Sequence, residues 1–199
     1  MLIGWGYFTR FMQLKGKSSE EANIKVLSYN VKHFVADTSG TQRENATKII
    51  SFLADQNADI ICLQEARLRK NNIFNLAQTV QDLESIKHYQ FARSSTSYGS
   101  VTMTRYPILN MGEIRFENSR NITIYTDVLI DSDTVRIFNI HLQSYHIDPT
   151  KYSIIESPGI NEEKDIEEVK EMGAKFKEAF QLRAKQVREI RKYIDESPH

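Results

Sequence analysis

The 199-residue sequence has a single cysteine, no excess of either charge, and no apolar run of membrane-spanning length. One cysteine excludes an internal disulfide. Cys62 lies inside an apolar run, so a small core residue is its default reading and a catalytic thiol the lesser one. Lysine and arginine together number 26, as do aspartate and glutamate. Proteins that live on phosphate-backbone contacts usually carry a basic excess, so neutrality argues against general nucleic-acid binding while leaving room for a local basic groove. Neither an internal repeat nor a low-complexity tract is present. The chain is 40% hydrophobic and 26% charged, ordinary values for a globular protein, and long enough for one large domain or two small ones.

Residues 1–15 are aromatic-rich and apolar but interrupted by Arg10, too short to span a bilayer, and without the basic start and small-residue cleavage site of a signal peptide. Three readings stand: the stub of a membrane segment, an interfacial anchor that would bring the protein near a membrane, or an N-terminal strand or cap. Cytoplasmic and membrane-associated placement both stay open. Residues 17–23 read as a polar linker, which makes 1–23 a stub and linker and 24–199 the domain.

The most informative stretch is Asp59 to Glu65, Asp-Ile-Ile-Cys-Leu-Gln-Glu. Four consecutive apolar residues bounded by polar ones read as a strand buried on both faces. Gln64 and Glu65 then fall at its carboxyl end, where open α/β sheets present ligand groups. Ile24 to Tyr29 reads as another strand, with Asn30 just past its end. Between the two, Thr41-Gln-Arg-Glu44 has capping-box form, Ala46, Ile49, Ile50, Leu53 and Ala54 follow at helical spacing, and Asn57 is a left-handed stop. A strand-helix-strand unit of this kind makes its two strands parallel and brings Asn30 and Glu65 to one edge.

Asn71 and Asn72 precede a second helical stretch containing Phe74, Ala77, Leu83 and Ile86. Short strands follow at 89–92, 100–104, 109–114, 122–130 and 134–142, the last two joined by a hairpin loop at Asp131-Ser132-Asp133. Residues 145–160 read as a loop and a candidate lid. Residues 161–193 are helical, acidic first and basic later, with Phe176, Phe180, Val187, Ile190 and Ile194 as the buried stripe and Gly173 as a candidate break into two helices. Arg183, Lys185, Arg188, Arg191 and Lys192 read as a solvated face, with substrate phosphate binding as the minority alternative.

Ser28-Tyr29-Asn30, Leu63-Gln64-Glu65, the stretch from Gly99 to Ile108 and Asn139-Ile140-His141-Leu142-Gln143, in that order, resemble the endonuclease/exonuclease/phosphatase superfamily. The resemblance implies an α/β (α+β) fold, the N-terminal portion of a four-layered αββα, DNase I-like sandwich. It also implies divalent-metal-dependent hydrolysis of a phosphoester, usually with Mg2+ and with Mn2+ as an alternative. By position it makes Glu65 the metal ligand, Asn30 the residue orienting the site and the phosphate, and His141 the residue stabilising charge on the phosphoryl oxygens. Residue types agree, because a hard cation prefers carboxylate oxygen while imidazole and amide donors meet phosphate.

The superfamily continues into a strand ending Gly-Asp-Phe-Asn and later a Ser-Asp-His stretch, and neither occurs in this sequence. His199 has none of that context. The expectation is therefore the N-terminal part of a longer enzyme, lacking the rest of its own domain, with the second sheet largely absent and little or no turnover by itself. Tyr29-Asn30-Val31-Lys32-His33 and Gln64-Glu65-Ala66-Arg67 differ from the Trp-Asn-Val-Asn-Gly and Gln-Glu-Thr-Lys of the apurinic-endonuclease branch. With the neutral charge, this favours a lipid or small-molecule phosphoester over nucleic acid. Action on nucleic acid, or a binding module that keeps the fold without catalysis, is the alternative.

Overall fold

A computed structural model describes residues 24–35, 40–67, 74–94, 97–144 and 163–197, with side chains of the last segment described from 169. The apolar stretch 1–15, the linker 17–23, Asn71, Asn72, the loop 145–160 and His199 lie outside the described residues. No described helix is long and apolar enough to cross a membrane.

The first strand, β1 (Val26–Asn30), leads through a short turn (Lys32–Phe34) into α1 (Gln42–Gln56), and β2 (Ile60–Arg67) returns parallel to β1. The expected capping box starts α1: Glu44 N–H donates to Thr41 Oγ1 at 3.3 Å, and Thr41 N–H donates to Glu44 Oε2 at 2.7 Å. Asn57 stops it at φ 43°, the left-handed conformation asparagine tolerates. Next come α2 (Leu76–Asp82), capped by Asn75, and β3 (His88–Arg93) paired with β4 (Tyr98–Thr104). Together they form a four-stranded sheet in the order β1-β2-β4-β3. Ile60, Ile61, Cys62 and Leu63 are all buried, as a central strand requires. Burial pushes the Cys62 thiol up to about 11, so it stays protonated at neutral pH.

Strand β2 runs two residues beyond Glu65, and its pairing with β4 shifts register between Leu63 and Ala66. Glu65 therefore sits on a bulge rather than after the strand's end, which is how one side chain can be re-aimed without ending the ladder. Opposite it, β3 and β4 approach closely at Gly99: a Cβ there would lie 1.9 Å from the Ala92 carbonyl oxygen, so only glycine fits.

A second sheet, β5 (Ile108–Arg115), β6 (Ile122–Ile130) and β7 (Asp133–Ile140), is antiparallel throughout. Its presence corrects the expectation that the second sheet would be largely absent: three adjacent antiparallel strands need only short turns, so this stretch of chain builds them itself. Asp133 already pairs with Ile130, which leaves a two-residue turn at Asp131 and Ser132, with Asp131 at φ 53°. The sheet lies over β3, β4 and β2, while β1 stands beyond it, with Val26 58% exposed.

Helices α1 and α2 pack on the outer face of the first sheet around Leu53, Ile61, Leu83, Val101 and Met103. The long helix α3 (Glu163–Asp195) packs on the second through Ile190, against Ile114 and Phe116. The result is helix, sheet, sheet, helix, the layered arrangement the sequence implies. Two expectations for α3 are corrected. It runs without a break through Gly173, and Phe180, Val187 and Ile194 are exposed, while Ile190 is buried as expected, together with Met172, Ala179 and Gln186. Phe180, Val187 and Ile194 recur at seven-residue spacing, as do Met172, Ala179 and Gln186, and one residue of helix turns the face by about 100°.

Candidate active site

Asn30, at the end of β1, pairs with Gln64, and its Nδ2 donates to Glu65 Oε1 at 2.8 Å. Its own Oδ1 accepts from Lys32 N–H at 3.0 Å, which starts a tight turn. Lys32, His33 and Phe34 then adopt φ of 42°, 57° and 61° in succession, and none is glycine. Positive φ costs a side-chain-bearing residue roughly 1–2 kcal/mol. Burial of Phe34, whose ring centroid lies 5.0 Å from that of Phe74, opposes this cost. Further, Gln42 Nε2 donates to the His33 carbonyl at 3.3 Å while its Oε1 accepts from Arg67 Nη1 at 3.1 Å. The turn is thus tied to β2, two residues beyond Glu65.

Glu65 itself has φ 54° on its bulge. Two strained residues, His33 and Glu65, face one another, with His33 Nε2 3.3 Å from Oε2. The His33 ring also meets Tyr98 edge-on, centroids 4.4 Å apart. From the second sheet, His141 follows directly on β7 and places Nε2 3.3 Å from Glu65 Oε1. The hydrogen bond from His141, with that from Asn30, holds the Glu65 carboxyl well down, at about 2, against the opposing effect of burial. The carboxylate is therefore ionised at neutral pH, with its side chain 22% exposed.

Beside the site, a buried amide pair ties the two sheets together. Gln64 Nε2 donates to Asn139 Oδ1 at 2.8 Å, and Asn139 Nδ2 donates to the carbonyls of Val101 at 2.9 Å and Leu63 at 3.2 Å. Gln64 adjoins Glu65 and Asn139 lies two residues before His141, so this pair sets the distance between them. All three residues expected from the sequence, Asn30, Glu65 and His141, meet here. Sequence reasoning missed His33 and the linking roles of Gln64 and Asn139. The available signal was a histidine in the same loop as Asn30.

Among the described residues no group of three or more His, Cys, Asp or Glu side chains forms a metal cage. The donors present nevertheless fit a hard divalent ion, which is commonly held by one or two carboxylates and completes its shell with water and substrate phosphate. Glu65 supplies an ionised, partly exposed carboxylate for that purpose.

The family model for the Endonuclease/Exonuclease/phosphatase family matches residues 27–183. The chain belongs to this family. A search of curated proteins finds no match. Among solved structures, an endonuclease/exonuclease/phosphatase from Beutenbergia cavernae DSM 12333 is similar at TM-score 0.55 and 16% identity, over 62% of this chain and 39% of that one. TDP2 from C. elegans is similar at 0.51 and 17% identity, over 68% and 44%. Sphingomyelinase C from Streptomyces griseocarneus is similar at 0.50 and 18% identity, over 61% and 49%. At these identities the likeness concerns the fold, which is DNase I-like. The matched region spans less than half the length of each of the three.

Proposed function

We propose that this family member binds a divalent cation, Mg2+ or alternatively Mn2+, at Glu65 and acts in hydrolysis of a phosphoester, with a lipid or small-molecule substrate favoured over nucleic acid. The supporting observation is the ionised Glu65 carboxylate on its bulge, with Asn30 and His141 brought to it from two different sheets. When bound, the ion would supply charge neutralisation to the phosphoryl group and its leaving oxygen. Asn30 orients the carboxylate through its amide and offers a donor at the site's edge. His141 holds Glu65 and presents its ring where negative charge develops on phosphoryl oxygens.

A recess of about 260 Å3 lies beside Asn30, lined in part by Lys32 and Lys48 but not by Glu65 or His141, so the preference for a small substrate does not rest on it. Zero net charge supports the same preference. Sphingomyelinase C among the similar structures is compatible with a lipid substrate, and a 2',3'-cyclic phosphatase among them leaves other phosphoesters in view. Among the described residues Glu65 is the carboxylate in this hydrogen-bonding network, so an acid to position the attacking water is not part of it. Turnover by these 199 residues alone is accordingly expected to be low.

The test is hydrolysis of a model phosphodiester together with calorimetric binding of its thiophosphate analogue, each with Mg2+, with chelator, and in Glu65→Gln. Weak turnover or binding that requires both Mg2+ and Glu65 supports the reading. Activity and binding indifferent to chelator and to Glu65→Gln, or neither detected at all, would contradict it.

A further inference from the structure

The two oxygens of Glu65 have different surroundings. Oε1 accepts from Asn30 and meets His141, whereas Oε2 faces His33 among the described residues. At 3.3 Å the His33 contact, like that of His141, is longer than the roughly 2.7–2.9 Å of a charge-assisted hydrogen bond. Two donors bound to one ion at about 2.0–2.2 Å lie roughly 3.0–3.5 Å apart at octahedral to tetrahedral angles. The His33–Glu65 separation is thus that of two neighbouring ligands on one ion.

Placement of His33 is specific as well. Its imidazole reaches Glu65 because three successive residues hold positive φ, while its carbonyl is held by Gln42 and its ring by Tyr98. Such strain persists where the surroundings over-determine it, and its partner Glu65 is strained too. A solvent-exposed loop histidine has no need of this arrangement.

Building on the reading that Glu65 binds a divalent ion, we propose that His33 Nε2 is a second protein ligand to that ion, through Glu65 Oε2, and sets its identity. A nitrogen donor is tolerated better by a transition-metal ion, Mn2+ included, than by Mg2+, which prefers oxygen. The site is therefore tuned toward a transition-metal ion such as Mn2+ rather than Mg2+, with His141 left to the phosphoryl group.

Pulsed EPR of Mn2+ bound to the full chain reads this directly, through the coupling of the ion to a coordinated 14N nucleus. His33→Asn is the variant of choice, since asparagine tolerates positive φ and keeps the turn. The expected result is a nitrogen coupling present in the unaltered chain, retained in His141→Asn and lost in His33→Asn, with Mn2+ affinity falling about 10-fold or more and Mg2+ affinity essentially unchanged. Mn2+ that binds through Glu65, as shown by its loss in Glu65→Gln, but with no nitrogen coupling dependent on His33 would overturn the role of His33 and leave the metal reading intact. Mn2+ binding untouched by Glu65→Gln would overturn both.

Discussion

Among the described residues, Glu65 and Asp127 are both carboxylates at least partly withdrawn from water, and they are treated in opposite ways. Asp127, on the helix-facing side of the second sheet, is gripped by Arg136 through Nε–Oδ1 at 2.6 Å and Nη2–Oδ2 at 2.8 Å, with Asn110 donating to Oδ2 at 3.2 Å. Its side chain is 4% exposed, and Arg136 in turn lies over the Tyr125 ring at 4.4 Å. Glu65 has imidazoles and an amide where Asp127 has a guanidinium, and it sits on strained backbone at the open end of the sheets. A fixed positive charge completes Asp127 and leaves it nothing further to bind. Glu65 is kept ionised chiefly by hydrogen bonds from His141 and Asn30 with no guanidinium closing it off, which is the condition a cation-binding carboxylate requires.

Breaking the closed pair should have the largest effect on stability. Asp127→Ala leaves Arg136 with an uncompensated, largely buried charge and is expected to lower unfolding free energy by about 3–5 kcal/mol in chemical denaturation. Asn139→Ala removes the amide link between the sheets and leaves Gln64 with one partner fewer; a loss of about 1–3 kcal/mol is expected. It should also loosen His141 from Glu65, seen as a rise of the Glu65 carboxyl from about 2 toward its ordinary 4.5.

Glu65→Gln should change stability at neutral pH less than either, while removing the site's charge. Its signature is in acid. Because the folded carboxyl is depressed to about 2 from 4.5, its contribution is complete above pH 4.5 and falls away as pH drops toward 2. The variant should lack that part of the acid-unfolding profile. Smallest of all, His33→Gly relieves a φ of 57° at the expense of backbone entropy, for a net gain of no more than about 1 kcal/mol in thermal unfolding.

Asn30, Glu65 and His141 were legible because each follows or ends an apolar run, and the order of strands and helix fixes which ends share an edge. The capping box at Thr41 and the left-handed stop at Asn57 were legible for a local reason: the side chains that satisfy the helix ends are their own sequence neighbours. His33 was not, since its turn has positive φ at Lys32, His33 and Phe34 without a glycine or asparagine to announce it. The stability of that turn comes from Phe74 and Arg67, both distant in sequence, and from Gln42, nine residues on. On α3, two stripes offer themselves at seven-residue spacing, and only the sheet beneath selects Met172, Ala179 and Gln186 over Phe180, Val187 and Ile194. Asn139 could be seen as part of a motif, but its partner Gln64 is brought to it only by the packing of two sheets.

The contrast between the two carboxylates is tested most directly by side-chain carboxyl 13C NMR, titrated with acid and then with Mn2+. The prediction is a Glu65 resonance that stays ionised down to about pH 2 and that substoichiometric Mn2+ broadens before that of Asp127. A Glu65 that titrates near 4.5, or Mn2+ broadening that spares it, would contradict the assignment of this carboxylate as the protein's metal-binding group.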